Sequence, residues 1–202
     1  MYKTILSLVL YLSIFGVASA GISTSDLNDN GIEDSTESEV VVDHDTTLPA
    51  GEYNFKNLII ASSSKLTLGR DESSSDLFKG VKINADNLTI FEGASISADG
   101  GNMYGTNYGA GVSPDEFYYI GASYGGLANG AQINNIYGSA TKPIDLGSDG
   151  YFKGGGAIIL SVSNTLLNNG RVSVVGGNSA SGGSIYVTTK NLSGNGLFIA
   201  NG

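Results

Sequence analysis

A pattern of glycines and alternating apolar residues, which occurs three times, constrains this chain more than any other feature. Each copy opens on a glycine, continues through an alternating apolar segment, turns at a second glycine and ends in a shorter alternating segment. The opening and internal glycines are, in order, Gly80 and Gly93, Gly156 and Gly170, and Gly183 and Gly196. Alternation predicts β-strands and the glycines predict the turns between them, so the chain is expected to repeat one strand–turn–strand element.

Apolar residues fall at matching places in the three copies, which predicts that the copies stack. In the first copy these residues are Val81, Ile83, Leu88, Ile90, Ile96 and Ala98. The second copy has Ile158, Leu160, Val162, Leu166, Val172 and Val174 at the corresponding places, and the third has Ile185, Val187, Leu192, Phe198 and Ala200. An earlier segment places Tyr53, Phe55, Leu58, Ile60, Leu66 and Leu68 at mostly even spacing. The predicted fold is all-β, a right-handed parallel β-helix over residues 39–202. The alternative is a sandwich of antiparallel hairpins, which would not require the glycines to recur.

Composition excludes several classes of protein. Glycine accounts for 30 of the 202 residues and only 14% are charged, which disfavours a helical protein. The formal net charge of −9 repels phosphate backbones, so nucleic acid is an unlikely partner, whereas cations are favoured. With no cysteine, the fold has no disulfide, and its stability must come from stacking or from metal.

The first twenty residues have the organisation of a secretory signal peptide. Lys3 provides the positive start, residues 5–17 the apolar core, and Ala18 to Ala20 a small-residue cleavage site. The apolar run of 13 residues is shorter than the roughly 20 that cross a bilayer, which argues against the alternative of a membrane anchor. We therefore expect a secreted or cell-surface protein whose mature chain does not span the membrane.

An acidic leader, residues 21–38, follows the predicted signal and contains the segment DLNDNGIEDSTE from Asp26. Oxygen-bearing side chains occupy positions 1, 3, 5, 9 and 12 of this segment, and Gly31 stands at position 6, where a calcium loop turns sharply. The predicted calcium ligands are the side chains of Asp26, Asn28, Asn30, Asp34 and Glu37 and the backbone carbonyl of Ile32. A solvated acidic linker is the alternative.

This segment resembles a single thrombospondin type 3 calcium repeat, DxDxDGIxDxxD, more than an EF-hand, because poor helix formers flank it. Asn28 and Asn30 replace acids of that repeat, which lowers the ligand charge. The resemblance implies a weak extracellular calcium site, with a dissociation constant on the order of 10⁻⁴ to 10⁻³ M.

A long insertion, residues 101–155, separates the first two glycine-opened copies. It contains 13 glycines and seven of the 11 tyrosines, and strand periodicity is lost. Tyrosine offers a flat apolar face and a hydroxyl, which suit sugar rings. The predicted ligand-binding residues are Tyr104, Tyr108, Tyr118, Tyr119, Tyr124, Tyr137 and Asp145. The alternative is that the tyrosines pack the insertion against the strands.

Several motifs resemble the glycine-rich β-helical segments of large secreted bacterial surface and adhesin-like proteins. They are GASYGG from Gly121, YGSATKPIDLGSDG from Tyr137, GGGAIIL from Gly154, NGRVSVVGG from Asn169 and GGSIYV from Gly182. The resemblance covers roughly residues 80–202. It implies cell adhesion, matrix contact or carbohydrate binding outside the cell, and it assigns no catalytic residue.

An enzyme that degrades polysaccharide, either a lyase or a glycoside hydrolase, is the second functional hypothesis. Its acids could come from Asp43 and Asp45, from Asp115 and Glu116, or from Asp145 and Asp149. Neither Arg70 nor Arg171 is interpreted as part of an acidic cluster, and the only histidine, His44, is interpreted as an outward turn residue. The sequence therefore indicates a binding module, with no catalytic residue assigned. Because Gly202 falls inside the repeat pattern, we also expect the β-helix to be incomplete at the C-terminus.

Overall fold

The computed structural model describes residues 25–74, 78–102, 104–106, 108–111, 121–126 and 136–202. The predicted signal peptide, together with Tyr118 and Tyr119, lies outside these ranges. The described residues form ten β-strands and one short 3₁₀ helix, Asp34–Thr36. The strands are β1 Val40–Val42, β2 Thr46–Leu48, β3 Gly51–Ile60, β4 Lys65–Leu68, β5 Val81–Ile90, β6 Ser95–Ser97, β7 Ala157–Asn168, β8 Arg171–Ser173, β9 Ser184–Ser193 and β10 Leu197–Ile199.

The ten strands form two five-stranded parallel sheets. One has the order β1-β3-β5-β7-β9 and the other β2-β4-β6-β8-β10, so consecutive strands lie in different sheets. We call a long odd-numbered strand and the short strand after it a unit. Units 1 to 4 span residues 51–68, 81–97, 157–173 and 184–199, after a shorter unit formed by β1 and β2. The all-β prediction is confirmed, and the antiparallel sandwich is wrong for these strands.

Residues at equivalent places in neighbouring units lie side by side and share one core. Val81 pairs with Ile158 and Ile83 with Leu160 in the long strands, while Ile96 pairs with Val172 in the short ones. All six side chains are fully buried. The period-two alternation predicted this inward face, because successive residues of a strand point to opposite sides.

The correspondence between units 2 and 3 shifts in the middle of β7. This strand has 12 residues where β5 has 10, and the register changes between Val162 and Thr165. Ala85 therefore pairs with Val162 and Leu88 with Leu166, and Ile90 meets the buried amide of Asn168. The predicted matches of Leu88 with Val162 and of Ile90 with Leu166 are wrong, because Val162 lies beside Ala85 and one extra residue bulges out of β7 before Thr165.

Two of the glycines that open the copies, Gly80 and Gly183, lie where a neighbouring backbone approaches closely. A methyl group on Gly183 would overlap the carbonyl oxygen of Gly156, and one on Gly80 would overlap that of Ala157. Only a residue without a Cβ atom fits at these places. The recurrence of glycine in the sequence therefore reflects contact between units.

Unit 4 forms one edge of both sheets, and its inward side is open in the described structure. Leu192 and Phe198 are 59% and 40% exposed, whereas Leu166 and Val172, their partners in unit 3, are fully buried. The leader lies at the opposite end, where Leu27 is 3% exposed and belongs to the same apolar core as Val40. Among the residues described, no helix has the length and apolar character that a membrane crossing requires.

Candidate functional site

The leader folds around the carboxylate of Asp26. Its two oxygens accept hydrogen bonds from the backbone N–H of Asn30 at 3.0 Å and from that of Gly31 at 2.8 Å. Gly31 has a φ of +82°, which favours glycine, so the predicted sharp turn is present at this residue. The first six residues of the predicted calcium segment thus form a closed loop.

Three of the predicted calcium ligands, Asn28, Asn30 and Glu37, converge beside this loop. The side-chain amide of Asn30 donates to Glu37 Oε1 at 2.7 Å, and that of Asn28 donates to Glu37 Oε2 at 3.3 Å. The amide oxygen of Asn28 is buried and has no hydrogen-bond partner. An unsatisfied buried oxygen is costly, so its presence beside a carboxylate favours a cation at this place.

Asp34 and Ile32 occupy different positions from these three residues. Asp34 is fully buried, and its carboxylate accepts hydrogen bonds from the Ser25 hydroxyl and, at 3.1 Å, from the Leu27 N–H. Burial raises the pKa of the Asp34 carboxyl, against the lowering effect of these donors. The Ile32 side chain is 52% exposed. Asp34 therefore closes the base of the loop, away from the convergence point.

No three His, Cys, Asp or Glu side chains are grouped as a metal site within the described ranges. A cation in the leader would depend on amide and carbonyl oxygens as well as on carboxylates. Such hard oxygen ligands suit calcium better than zinc or copper.

A second cluster, which the sequence did not predict, centres on Asp149 and Arg70. Asp149 is fully buried. Its carboxylate accepts hydrogen bonds from the N–H groups of Thr106 at 2.6 Å and of Gly154 at 2.9 Å, and Arg70 Nη2 lies 3.4 Å away. Burial alone would raise the pKa of Asp149, but these donors and Arg70 outweigh it and lower the pKa.

Glu72 completes this cluster, which we call the clamp. Its Oε1 lies 2.7 Å from both Arg70 Nη2 and Lys153 Nζ, and its Oε2 accepts a hydrogen bond from the Thr106 hydroxyl at 2.7 Å. Burial opposes ionisation of Glu72, yet the neighbouring donors and cations lower its pKa. Because Arg70 precedes the insertion and Thr106 lies within it, the clamp ties the insertion to unit 1.

Arg70 thus belongs to an acidic cluster, and the interpretation that it does not is wrong. Glu72, two residues further along the chain, was a local signal for this cluster, whereas Asp149 is 79 residues away and gave none. Arg171 also has an acidic neighbour, since its Nη2 lies 3.9 Å from Asp99 Oδ2.

The clamp lacks the electrostatics of a hydrolase. Hydrolysis of a glycosidic bond needs one carboxyl group whose pKa is raised, so that it donates a proton, and one that remains ionised. The pKa values of Glu72 and Asp149 are both lowered. The hydrogen bond with Asp43 raises the pKa of the only histidine, His44, above the ordinary value of 6.5.

Two of the predicted ligand-binding tyrosines pack the insertion against the strands. The rings of Tyr124 and Tyr137 meet edge to face with centroids 4.8 Å apart. The Tyr124 hydroxyl lies 2.5 Å from Ser184 Oγ, and the Tyr137 hydroxyl donates to the Leu146 carbonyl at 2.7 Å. Burial raises the pKa of both phenols. Tyr124 also lines an open groove of about 700 Å³, and none of the described residues that line it is charged.

Tyr104 is placed differently, as the exposed member of a cluster of three aromatic rings in which Tyr151 and Phe152 are half-buried. Its ring is 68% exposed and lies 5.2 Å from the Tyr151 ring and 5.7 Å from the Phe152 ring, centroid to centroid. Tyr108 lies beneath the ammonium group of Lys79, which is 5.3 Å from its ring centroid. At Asp145 it is the backbone carbonyl that accepts a hydrogen bond, from Ser184 at 2.6 Å.

No family model, curated protein or solved structure matches this chain. A functional proposal for it therefore depends on the geometry described above.

Proposed function

We propose that the chain is a secreted or cell-surface module, built as a right-handed parallel β-helix, that attaches to polysaccharide or to an extracellular matrix component. The alternation of strands between two parallel sheets supports the β-helix. Each long strand reaches the next through a strand of the other sheet, and crossover connections between parallel strands are right-handed in about 98% of cases. The proposal includes export by the predicted signal peptide.

The observation that carries this function is the clamp. It joins the insertion to the segment that follows unit 1 through the buried charge of Asp149 and three partly buried charges, and Asp149 alone accepts hydrogen bonds from the backbones of Thr106, Tyr108 and Gly154. Ligand sites commonly lie on loops that a rigid scaffold positions, and ordering a loop in advance lowers the entropic cost of binding. The lowered pKa values of both clamp acids favour attachment over hydrolysis.

Binding and degradation are separated by two assays on the same protein. We expect binding to at least one polysaccharide on a glycan array, with no release of reducing ends or of unsaturated products from that polysaccharide. Release of product would favour the second hypothesis, a polysaccharide-degrading enzyme.

The proposal assigns calcium to the leader. Asp26, Asn28, Asn30 and Glu37 would hold the ion with their side chains, and Ile32 with its backbone carbonyl. The buried, unpartnered oxygen of Asn28 is the observation that supports this assignment. Calcium would supply a charge that offsets the repulsion between the leader's acids, which have no lysine or arginine among them. Asp34, although predicted as a ligand, is assigned to the base of the loop.

Calcium is expected to raise the melting temperature. At about 10 mM calcium, a dissociation constant of 10⁻⁴ to 10⁻³ M corresponds to about 1.4 to 2.7 kcal/mol of added stability. Glu37→Gln should abolish this increase, whereas Glu39→Gln, which alters an exposed acid outside the loop, should preserve it. Asp34→Ala is unsuitable because it would open the loop with or without calcium. An unchanged melting temperature of the unsubstituted protein in calcium would show that the leader is only a linker.

A further inference from the structure

We propose that the exposed aromatic cluster of Tyr104, Tyr151 and Phe152 is the contact surface, and that its ligand is a neutral polysaccharide rather than a uronate or sulfated one. This inference rests on the proposed function, since it names the binding surface and the class of glycan for the same module.

The cluster presents a preformed apolar surface. The Tyr151 and Phe152 rings lie 4.8 Å apart, so each of the three rings contacts the other two. Tyr104, at 68% exposure, is the most exposed large hydrophobic residue among those described. The flat face of an aromatic ring packs well against the C–H face of a pyranose, which makes an exposed and supported ring a suitable sugar contact.

Backbone contacts hold the cluster in place before any ligand arrives. Tyr104 and Phe152 form an antiparallel bridge, and the Gly105 N–H donates to the Tyr151 carbonyl at 3.1 Å. The Phe152 N–H donates to the Asn178 carbonyl at 3.2 Å, which links the cluster to the segment between units 3 and 4. A sugar would therefore meet rings that are already ordered, at a lower entropic cost.

Polar groups of the clamp adjoin the aromatic cluster along the chain. Thr106 is two residues from Tyr104, and Lys153 directly follows Phe152. The Thr106 hydroxyl and Lys153 both contact the Glu72 carboxylate, at 2.7 Å each. Groups that donate and accept hydrogen bonds beside an apolar face match the hydroxyls that surround a pyranose ring.

The charges of the clamp favour a neutral ligand. Its two cations, Arg70 and Lys153, are already paired with the Glu72 carboxylate. An anionic sugar would have to compete with this internal carboxylate, and it would approach a chain with a net charge of −9. A neutral pyranose has neither disadvantage.

The pair Tyr124 and Tyr137 provides an internal comparison. Their hydroxyls contact Ser184 and Leu146, and both residues are less exposed than Tyr104. A substitution at Tyr137 therefore tests whether any tyrosine of the insertion matters for binding or only those of the exposed cluster.

The experiment compares affinities for soluble neutral polysaccharides (dextran, mixed-linkage β-glucan and glucomannan) with those for alginate and polygalacturonate, by affinity electrophoresis and calorimetry. We expect binding to a neutral polymer and none to the two polyanions. Tyr104→Ala should weaken binding by at least about tenfold, the effect of losing an aromatic anchor. It should leave the melting temperature unchanged, since the side chain is largely exposed. The affinities of Tyr104→Phe and Tyr137→Phe should stay within about threefold of that of the unsubstituted protein, because both variants retain an aromatic ring at position 104.

The outcomes separate this inference from the proposed function. If no polysaccharide binds, the proposed attachment to polysaccharide is wrong and this inference falls with it. If a neutral polymer binds and Tyr104→Ala leaves its affinity unchanged, the contact surface lies elsewhere and only this inference is overturned. Binding to alginate or polygalacturonate without binding to any neutral polymer would overturn the glycan class and leave attachment to polysaccharide standing.

Discussion

At the scale of single residues, Asp149 is the point on which the insertion depends. Its buried carboxylate satisfies three backbone N–H groups and faces the Arg70 guanidinium. A buried ion pair adds little net stability when complete, but removal of one partner leaves the other charge uncompensated.

Asp149→Asn is therefore expected to lower the free energy of unfolding by about 3 kcal/mol, because it leaves the Arg70 charge with fewer acidic partners. Asp145→Asn is the matched control, since Asp145 uses its backbone carbonyl in the contact with Ser184. It should change stability by less than about 0.5 kcal/mol. Urea unfolding measures both. Equal stabilities of the two variants would show that the clamp does not hold the insertion.

The lowered pKa values of the two clamp acids predict how stability depends on pH. The folded pKa values of Asp149 and Glu72 lie below their ordinary values of 3.8 and 4.5. Their contribution is therefore complete above those ordinary values, and it is lost as the pH falls through the lowered ones. The stability difference between the parent and Asp149→Asn should be constant from pH 7 to pH 5 and should shrink below pH 4. A difference that did not change down to pH 2 would contradict the lowered pKa of Asp149.

The contacts of individual side chains were the features that the sequence predicted least well. The motif from Asp26 to Glu37 predicted the sharp turn at Gly31, because a local pattern fixes a local turn. It could not show that Asp34 turns inward to Ser25 and Leu27. Of the clamp, only the nearby charges of Arg70 and Glu72 were visible in the sequence, since Asp149 and Lys153 reach them only after the insertion has folded back.

At the scale of elements, stability arises from contacts between neighbouring units. A unit buries its apolar side only when another unit covers it, so stability in stacked repeats is approximately a sum over neighbours. Leu166 and Leu192 are register partners in units 3 and 4, yet the first is fully buried and the second is 59% exposed.

These two leucines provide a matched pair of substitutions. Leu166→Ala should cost about 2 to 5 kcal/mol, because it leaves a cavity between units 2 and 4. Leu192→Ala should cost less than about 1 kcal/mol, since most of that side chain already contacts solvent. Thermal or urea unfolding distinguishes the two. Similar costs would mean that Leu192 is covered in solution.

The sequence predicted the strands well, since alternation and glycine placement are local and repeat three times. It failed within β7, where one extra residue before Thr165 shifts the register. The predicted matching passed over Ala85, the small buried residue that pairs with Val162, so the apolar pattern did not reveal the bulge.

At the scale of the whole molecule, the leader, the stacked units and the insertion each have a separate part in the proposed attachment. The units supply a rigid scaffold and the clamp fixes the insertion to it. The leader contributes Leu27 to the core at one end, where calcium would add stability. All of these parts depend on the parallel, in-register arrangement of the units.

That arrangement is most directly tested by disulfide cross-linking, for which a chain without cysteine is well suited. Thr89 and Leu167 are register partners on the outer face of neighbouring strands, where parallel chains lie about 4.8 Å apart. Thr89→Cys with Leu167→Cys should form an intramolecular disulfide on mild oxidation. Thr89→Cys with Thr165→Cys, offset by two residues and therefore beyond the roughly 7 Å that a disulfide can span, should not. Cross-linking of the offset pair in preference to the register pair would contradict the stacked parallel units.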